Sequence, residues 1–403
     1  MAMMWRPGKA SRPVLALVAL LSIIGYMLVE GLPQKTRKPY YKEKVQAAKL
    51  MARGIEVIKR ARISIFGRID TEHDPLATGM IGTGLTPITS NTGILAAKQT
   101  AANPNFAAVL VQMYKRAKLK EGDVVAMAFS GSFPSLNLAA LVAAETLKLR
   151  PVIITSTSGS NWGANDPELT WLDMERLLFE NGVIHNRTVA ASLGGEQDRG
   201  VGLPAEGVRM LREAIKRNGV ELIDPPDLSS SFDLRMNIYR EEAGGQPIAA
   251  YVNVGGGAGS VGSSMIKKMF LPGVNKELPT SERIRDSVIT RMSRNGVPVI
   301  HLVFVEKIAK TYGLAKAGAP LRVGTGDVYA AMGYNMFLVW GVFLGLVLAI
   351  FVLLRMDLRH YGTKVTGLWG RRRPRSSPPP GPPAATPPPA VPAGDLSKLD
   401  PSN

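Results

Sequence analysis

The sequence predicts an α/β fold, a mostly parallel, doubly wound sheet domain flanked by two transmembrane helices. Long apolar segments lie near both ends of the chain, at 14–32 and 336–354, and about 18 consecutive apolar residues suffice to cross a bilayer as a helix. Between them, short apolar runs bounded by turn residues alternate with amphipathic stretches. That alternation is typical of strands and helices in a layered α/β domain.

The two apolar segments divide the chain into five parts. These are a basic start at 1–13, a first span at 14–32, an α/β domain at 33–335, a second span at 336–354 and a tail at 355–403. The tail is basic and then proline-rich, with 11 of the 29 prolines of the chain. This composition favours a solvated, disordered segment, and a docking site for a cytoplasmic partner is the alternative.

Basic residues beside the spans predict how the chain crosses the membrane. Lys and Arg are dense after the second span, from Arg355 to Arg375, and sparse before it. The positive-inside rule then places the C-terminus in the cytoplasm. The first span alone favours the opposite orientation, because basic residues also follow it at 35–49. We give the second span more weight because its contrast is larger.

We therefore expect a two-pass protein of the cell membrane with both termini in the cytoplasm. Its central domain is expected to be extracytoplasmic. A cleaved signal peptide is the alternative for the first apolar segment. No A-x-A-like cleavage site follows that segment, which favours an uncleaved anchor.

Composition narrows the partners and excludes some chemistry. The net charge of +17 is concentrated near the spans, which suits lipid headgroups of the bilayer or an anionic polymer, and we expect no nucleic-acid partner. The absence of cysteine excludes disulfides and thiolate catalysis. The four histidines are scattered, so neither a metal nor another cofactor is expected.

Periodicity predicts the elements of the central domain in order. Helices are expected at 41–62, 103–119, 134–147, 206–218 and 281–295, and after the glycines that follow 254. Strands are expected at 123–129, 151–155, 220–223, 248–254 and 297–305. A strand, helix and parallel strand over 123–155 form a βαβ unit, whose crossover is right-handed.

Two loops follow predicted strands, at the sheet edge where ligands bind such folds. Ser130, Gly131 and Ser132 offer hydroxyls and backbone N–H groups at a helix start, which suits a phosphate or a carboxylate. A tight strand-to-helix turn explains the same residues.

The second loop is rich in glycine and runs from Gly255, Gly256 and Gly257 to Ser260. Consecutive glycines let a backbone approach a ligand closely, or let it pack against a neighbouring element. The loop matches no dinucleotide fingerprint, and the chain has no Walker motif.

A polar connection after the second strand is the third candidate, with Ser158, Asn161, Trp162, Asp173 and Glu175. It could bind a polar chain against the Trp face, with Asp173 or Glu175 as a base. The alternative places both carboxylates on an exposed helix face. Residues 194–198 are expected to form a surface turn, and no G-x-S-x-G elbow indicates a hydrolase triad.

Several spaced motifs together resemble the bacterial poly-γ-glutamate (poly-gamma-glutamate) system protein family, over about 41–354. They are Asn103-Pro104-Asn105-Phe106-Ala107, Gly131-Ser132-Phe133-Pro134, Asn161-Trp162-Gly163-Ala164-Asn165, Thr170-Trp171-Leu172-Asp173-Met174-Glu175, Ser192-Leu193-Gly194-Gly195 and Val254-Gly255-Gly256-Gly257. The resemblance implies a membrane component of capsule biosynthesis in the bacterial cell envelope, which makes or exports this anionic polymer with other membrane proteins. It implies no catalytic residues.

The segment 130–155 also looks like the phosphate-gripping half of a sugar isomerase domain. That resemblance implies an enzyme or binding domain for a phosphorylated or carboxylated metabolite. Phe133-Pro134 stands where such domains have small polar residues, which is a departure from the pattern.

Overall fold

A seven-stranded, mostly parallel sheet organises the central domain of the computed structural model. The structure describes residues 12–279, 285–317, 322–324 and 326–368. The predicted basic start at 1–11 and the proline-rich tail from 369 onward lie outside the described residues. The chain separates into two compact units, Gln34–Gly333 and the two terminal parts, Met1–Pro33 with Tyr334–Asn403.

The helices follow one another along the chain as α1 to α13. Their bounds are α1 Arg12–Gly31, α2 Tyr41–Phe66, α3 Leu95–Ala101, α4 Phe106–Arg116, α5 Pro134–Thr146, α6 Trp171–Glu180, α7 Ala205–Arg217, α8 Leu228–Glu242, α9 Ala258–Val261, α10 Ser264–Met269, α11 Val288–Arg294, α12 Val305–Thr311 and α13 Met336–Leu368.

The strands run from β1 to β13. Their bounds are β1 Gln34–Arg37, β2 Thr89–Asn91, β3 Val124–Ser130, β4 Arg150–Ser156, β5 Gly159–Ser160, β6 Asn165–Asp166, β7 Leu169–Thr170, β8 Ala190–Ser192, β9 Glu221–Ile223, β10 Ile248–Val254, β11 Gly273–Asn275, β12 Val299–Leu302 and β13 Ala330–Gly333.

Strand order places β3 and β10 side by side at the centre of the sheet, which runs β11-β12-β10-β3-β4-β8-β9. The chain moves from β3 outward through β4 and β8 to β9 and then returns to β10. From there it passes to the opposite edge at β11 and ends between β10 and β11 as β12. All neighbours in this sheet are parallel except β11, which lies antiparallel to β12. The order therefore reverses between β3 and β10, and the carboxyl ends of both strands meet at one edge.

Both faces of the sheet are covered by apolar side chains. Alternate residues of β3 point to opposite sides, so Val125 and Met127 belong to one hydrophobic cluster and Val124 and Ala126 to the other. Helices α2, α4, α5, α6 and α7 contribute to the first cluster, and α8 and α11 to the second. A continuous apolar run such as β3 is what burial on both faces requires.

Two helices near the ends of the chain are long and apolar enough to cross a membrane, α1 and the Met336–Leu353 part of α13. In the unit that contains both helices, a Cβ on Gly25 of α1 would lie 2.5 Å from Val342 Cγ1 of α13. Glycine therefore permits close packing of α1 on α13, as small residues do between apolar helices. The Tyr334 hydroxyl donates to Glu30 Oε1 at 2.8 Å.

Several elements differ from the sequence expectation. Helix α13 continues to Leu368, beyond the apolar segment that ends at 354. Helix α8 and strand β8 were not expected, because the periodicity of α8 is weak and Ala-Ala-Ser has no branched residue. The last central strand, β12, covers 299–302 within the expected 297–305.

Truncation of Leu138 tests the packing of α5 on α2. This side chain is fully buried, and a Cβ on Gly54 would lie 3.0 Å from its Cδ1. We expect Leu138→Ala to lower the free energy of unfolding by about 2–5 kcal/mol, because a cavity remains. Urea denaturation of the chain in detergent measures it. Leu85→Ala, at a side chain that is 79% exposed, is the control and should change it by less than about 0.5 kcal/mol; equal effects would contradict the packing.

Candidate functional site

The two predicted loops meet where the strand order reverses. Gly255 follows β10 and Ser130 ends β3. A Cβ on Gly255 would lie 3.6 Å from Phe133 Cδ2 and 3.7 Å from Ser130 Cβ. Since the carboxyl ends of parallel strands share an edge, the fold brings together loops that are far apart in the chain.

Internal hydrogen bonds hold the Ser130–Ser132 loop. Ser130 Oγ accepts the backbone N–H of Ser132 at 3.1 Å, and Ser132 Oγ accepts that of Ser160 at 3.1 Å. A Cβ on Gly131 would lie 2.5 Å from the carbonyl oxygen of Thr157. Close backbone packing therefore explains the glycine, and each hydroxyl oxygen already accepts one backbone hydrogen bond.

The Gly255–Ser260 loop also packs closely, against charged side chains. A Cβ on Gly256 would lie 2.7 Å from Lys267 Cδ, and one on Gly259 would lie 2.7 Å from Arg235 Nη2. A Cβ on Gly257 would lie 3.7 Å from Ser156 Oγ. The glycines thus let the backbone pass directly over these polar groups.

A network of hydrogen bonds between buried polar side chains holds the Gly255–Ser260 loop. Asn253 Nδ2 donates to the Gly255 carbonyl at 2.7 Å and contacts His301 Nδ1 at 3.0 Å, while His301 Nε2 contacts the Lys267 carbonyl at 3.0 Å. Burial lowers the pKa of His301 to about 4, so the ring is neutral at pH 7 and Nε2 is the donor. Ser260 donates to Asn253 Oδ1 and contacts the Tyr251 hydroxyl at 2.6 Å.

Lys98 is a buried cation at the same edge. Its ammonium, on α3, donates to the Ser132 carbonyl and to Ser160 Oγ, the latter at 2.8 Å, and lies 3.9 Å from the centre of the Phe133 ring. Burial first, and then the charge of Lys267, lower the pKa of Lys98 to about 7. Both effects disfavour the charged form.

Lys267 is the second, partly exposed cation and lies on α10. Its Nζ is 5.9 Å from the centre of the Phe304 ring, and its side chain crosses Gly256. Within the part of the chain that the structure describes, neither Lys267 nor Lys98 forms an ion pair with a carboxylate. The site therefore holds two neighbouring basic groups that have no counter-charge among the described residues.

A buried ion pair borders the lysines. Asp198 Oδ2 and Arg235 Nη2 are 2.7 Å apart, and both side chains are almost fully buried. Burial opposes the charge of Arg235, but Asp198 outweighs it and raises the arginine pKa. Ser156 and Ser192, the last residues of β4 and β8, donate to Asp198 Oδ1 at 2.9 and 2.7 Å. Residues 194–198 do form a turn, with Glu196 and Gln197 exposed, but Asp198 is directed inward and is buried.

Two residues of the predicted polar connection, Asn161 and Trp162, link the edge to the segment before α3, and a third, Ser158, packs against Gly194. Asn161 donates to the Gly84 carbonyl and accepts the backbone N–H of Gly93 at 3.1 Å. Trp162, with φ of 64°, stacks on His73 with ring centres 4.2 Å apart. Ser158 is buried, and a Cβ on Gly194 would lie 2.5 Å from its Oγ.

Asp173 and Glu175 are buried, so the alternative of an exposed helix face is wrong. Asp173 caps α6 with Thr170 and pairs with Arg217 Nη2 at 2.5 Å. Burial opposes the ionised carboxyl of Asp173, but the hydrogen bonds from Arg217, Thr170 and Asn218 together outweigh it and lower the pKa. Glu175 accepts the backbone N–H of Thr188 at 2.8 Å, and burial raises its pKa to about 7. Both carboxyls have structural partners, which weakens the idea of a catalytic base.

Asp70, Glu72 and His73 place ligand-type atoms within 4.8 Å of one another. Asp70 accepts the N–H groups of Glu72 and His73, so a local turn explains the cluster.

No protein-family model, curated protein or solved structure matches this chain. The chemistry is therefore argued from the site itself. Four side chains that the sequence analysis did not select dominate it: Lys98, Lys267, Asp198 and Arg235. The one sequence signal for them is a lysine among small residues, in Leu-Ala-Ala-Lys-Gln-Thr-Ala at 95–101.

Removal of Asp198 tests the ion pair. We expect Asp198→Ala to lower the free energy of unfolding by about 3–5 kcal/mol, because Arg235 is left buried without a counter-charge. Asp198→Ala/Arg235→Met should regain part of that loss in the same denaturation measurement.

The control is Glu213→Ala, which breaks an exposed pair with Arg209 whose side chains are 56% and 61% exposed. It should cost less than about 1 kcal/mol. A loss for Asp198→Ala no larger than that of the control would show that the pair is dispensable.

Proposed function

We propose that this protein is a membrane-anchored component of a poly-γ-glutamate synthesis or export system, and that its domain binds carboxylates of the polymer. The observation that carries the proposal is the pair Lys98 and Lys267, which lack a described counter-charge at the sheet edge. The order and spacing of the motifs listed above support the choice of polymer. We further propose that the sheet is doubly wound, which the order reversal between β3 and β10 supports.

Electrostatics supports an anionic ligand at this edge. An ammonium in a poorly solvated site with a second cation nearby loses its proton more readily, as the pKa of Lys98 at about 7 reflects. A bound carboxylate reverses this effect, because it attracts both cations and favours the protonated lysine. Lys267 is the more exposed of the two and is the direct contact.

The alternative, a site for a phosphorylated metabolite like that of a sugar isomerase domain, has less support. Such a site uses hydroxyls and N–H groups of the Ser130–Ser132 loop. Here the backbone N–H groups of Gly131, Ser132 and Phe133 all donate within the domain, so the loop offers a ligand only its hydroxyl protons. The lysines, rather than the serines, carry the binding.

We propose that α1 and α13 cross the cell membrane, with both termini in the cytoplasm and the sheet domain outside. The apolar length of both helices supports the spans, and the arginines that follow the second one support the orientation. In that position a basic domain meets the polyanion as it leaves the cell. Other membrane proteins of the same system are the expected partners.

Binding to a fluorescent γ-linked glutamate oligomer tests the site. Fluorescence anisotropy of the full chain in nanodiscs should show saturable binding that weakens with salt. Lys98→Met/Lys267→Gln should lose most of it. Lys216→Gln/Lys310→Gln, at two exposed lysines elsewhere on the domain, removes the same charge and should bind normally.

The same binding should depend on pH. Without ligand, Lys98 has a pKa of about 7, so above pH 7 it must take up a proton from the solvent when the carboxylate binds. Affinity should fall by up to about tenfold per pH unit as the pH rises from 7 to 9, and should level off below 7. Lys98→Met should abolish this slope; a wild-type profile that is flat would contradict the role of Lys98.

Deletion of the gene in a polymer-producing cell tests the biological role. We expect changes in the amount, length or surface retention of the polymer, restored by the wild-type gene and not by the Lys98→Met/Lys267→Gln variant. Unchanged polymer after deletion would refute the proposal.

Reporter fusions test the topology. An alkaline phosphatase joined after Gly333 should be active, and one joined after Arg375 inactive, because only the first lies outside. The protein should also stay in membranes washed with alkaline carbonate. Release by that wash, or the reverse pattern of reporters, would contradict the two-pass arrangement.

A further inference from the structure

A second basic site lies beside the edge strand β11. It is a cavity of about 330 Å³ between the end of α4, the segment 271–276 and α12. Met113, Leu271 and Ile308 form an apolar base, and Arg116, Lys276 and Lys307 contribute the charges. The sheet-edge site already described does not include these residues.

The three cations lack carboxylate partners among the residues that the structure describes. Arg116 Nη1 donates to the Tyr312 hydroxyl at 3.1 Å, and neither Lys276 nor Lys307 forms an ion pair with another described residue. No Asp or Glu among the described residues lines the cavity. Charge complementarity therefore favours an anionic ligand.

The apolar base narrows the ligand further. A compact anion such as phosphate would reach the cations but leave the apolar base uncovered. A chain whose carboxylates are separated by methylene groups fits better, because the methylenes cover apolar side chains while the carboxylates reach the cations.

Chain continuity connects the cavity to the sheet-edge site. The segment 271–276 follows α10, which bears Lys267, and α12 begins directly after Phe304. Both sites are thus built partly from the same two stretches, and α12 packs on α3, which bears Lys98. A ligand with repeated carboxylates could occupy both.

We propose that this cavity is a second binding subsite, which holds a methylene-spaced polycarboxylate chain next to the segment held by Lys98 and Lys267. The inference rests on the proposed function for its ligand. It adds that the domain grips an extended chain at two places, so an oligomer binds more tightly than a single carboxylate unit.

The test compares three variants of the full chain in nanodiscs, with the labelled γ-linked glutamate oligomer and with free glutamate as a competitor. Lys276→Gln/Lys307→Gln removes two cations from the cavity. Thr311→Trp, at an exposed lining residue, blocks it without a change of charge. Lys216→Gln/Lys310→Gln is the charge-matched control, and circular dichroism verifies that each variant is folded.

We expect the first two variants to bind the oligomer on the order of tenfold more weakly, with the control and the competition by free glutamate unchanged. Normal binding by both cavity variants would overturn the inference. So would an equal loss in the control, which would indicate net charge alone, or a loss for the lysine variant without one for Thr311→Trp. If the wild-type chain binds no oligomer, the proposed function fails first, and the subsite with it.

Discussion

The buried ion pair between Asp198 and Arg235 is the interaction on which the carboxyl edge of the sheet depends. Asp198 accepts hydrogen bonds from Ser156 and Ser192, which end β4 and β8, and its pairing with Arg235 holds α8 at that edge. A charge buried there without its partner costs several kcal/mol, so the loop that carries Asp198 and the helix that carries Arg235 stabilise each other's position. The adjacent loop needs glycine at 259, because a side chain would collide with the pair.

The two lysines near this pair, Lys98 and Lys267, have no such counter-charge among the described residues. Lys98 is buried and has no described carboxylate partner. Its pKa is therefore lowered to about 7. Hydrogen bonds to a carbonyl and a hydroxyl satisfy its donors but do not cancel its charge. One edge of the sheet thus contains both the Asp198–Arg235 ion pair, which holds the loops in place, and lysines that have no described counter-charge.

Sequence reasoning located the frame of the site and missed its charged groups. The loops at Ser130–Ser132 and Gly255–Gly257 were placed at the edge because short-range patterns identify the strands before them. Asp173 and Glu175 were selected as possible bases. In the structure Asp173 caps α6 and Glu175 accepts a hydrogen bond from Thr188 inside the domain. The small neighbours of Lys98 are the one local indication that it is buried, since burial itself depends on distant segments.

The sequence by itself determined the alternation of strands and helices, the glycine-rich turns and the two apolar end segments. These are properties of neighbouring residues, namely periodicity, turn propensity and uninterrupted hydrophobic length. Only the tertiary structure decided which charges meet. Asp198 and Arg235 are 37 residues apart, and Lys98 and Lys267 stand on helices on either side of the central strands in chain order. Coulomb interactions and desolvation depend on distance in space, which the order of residues does not record.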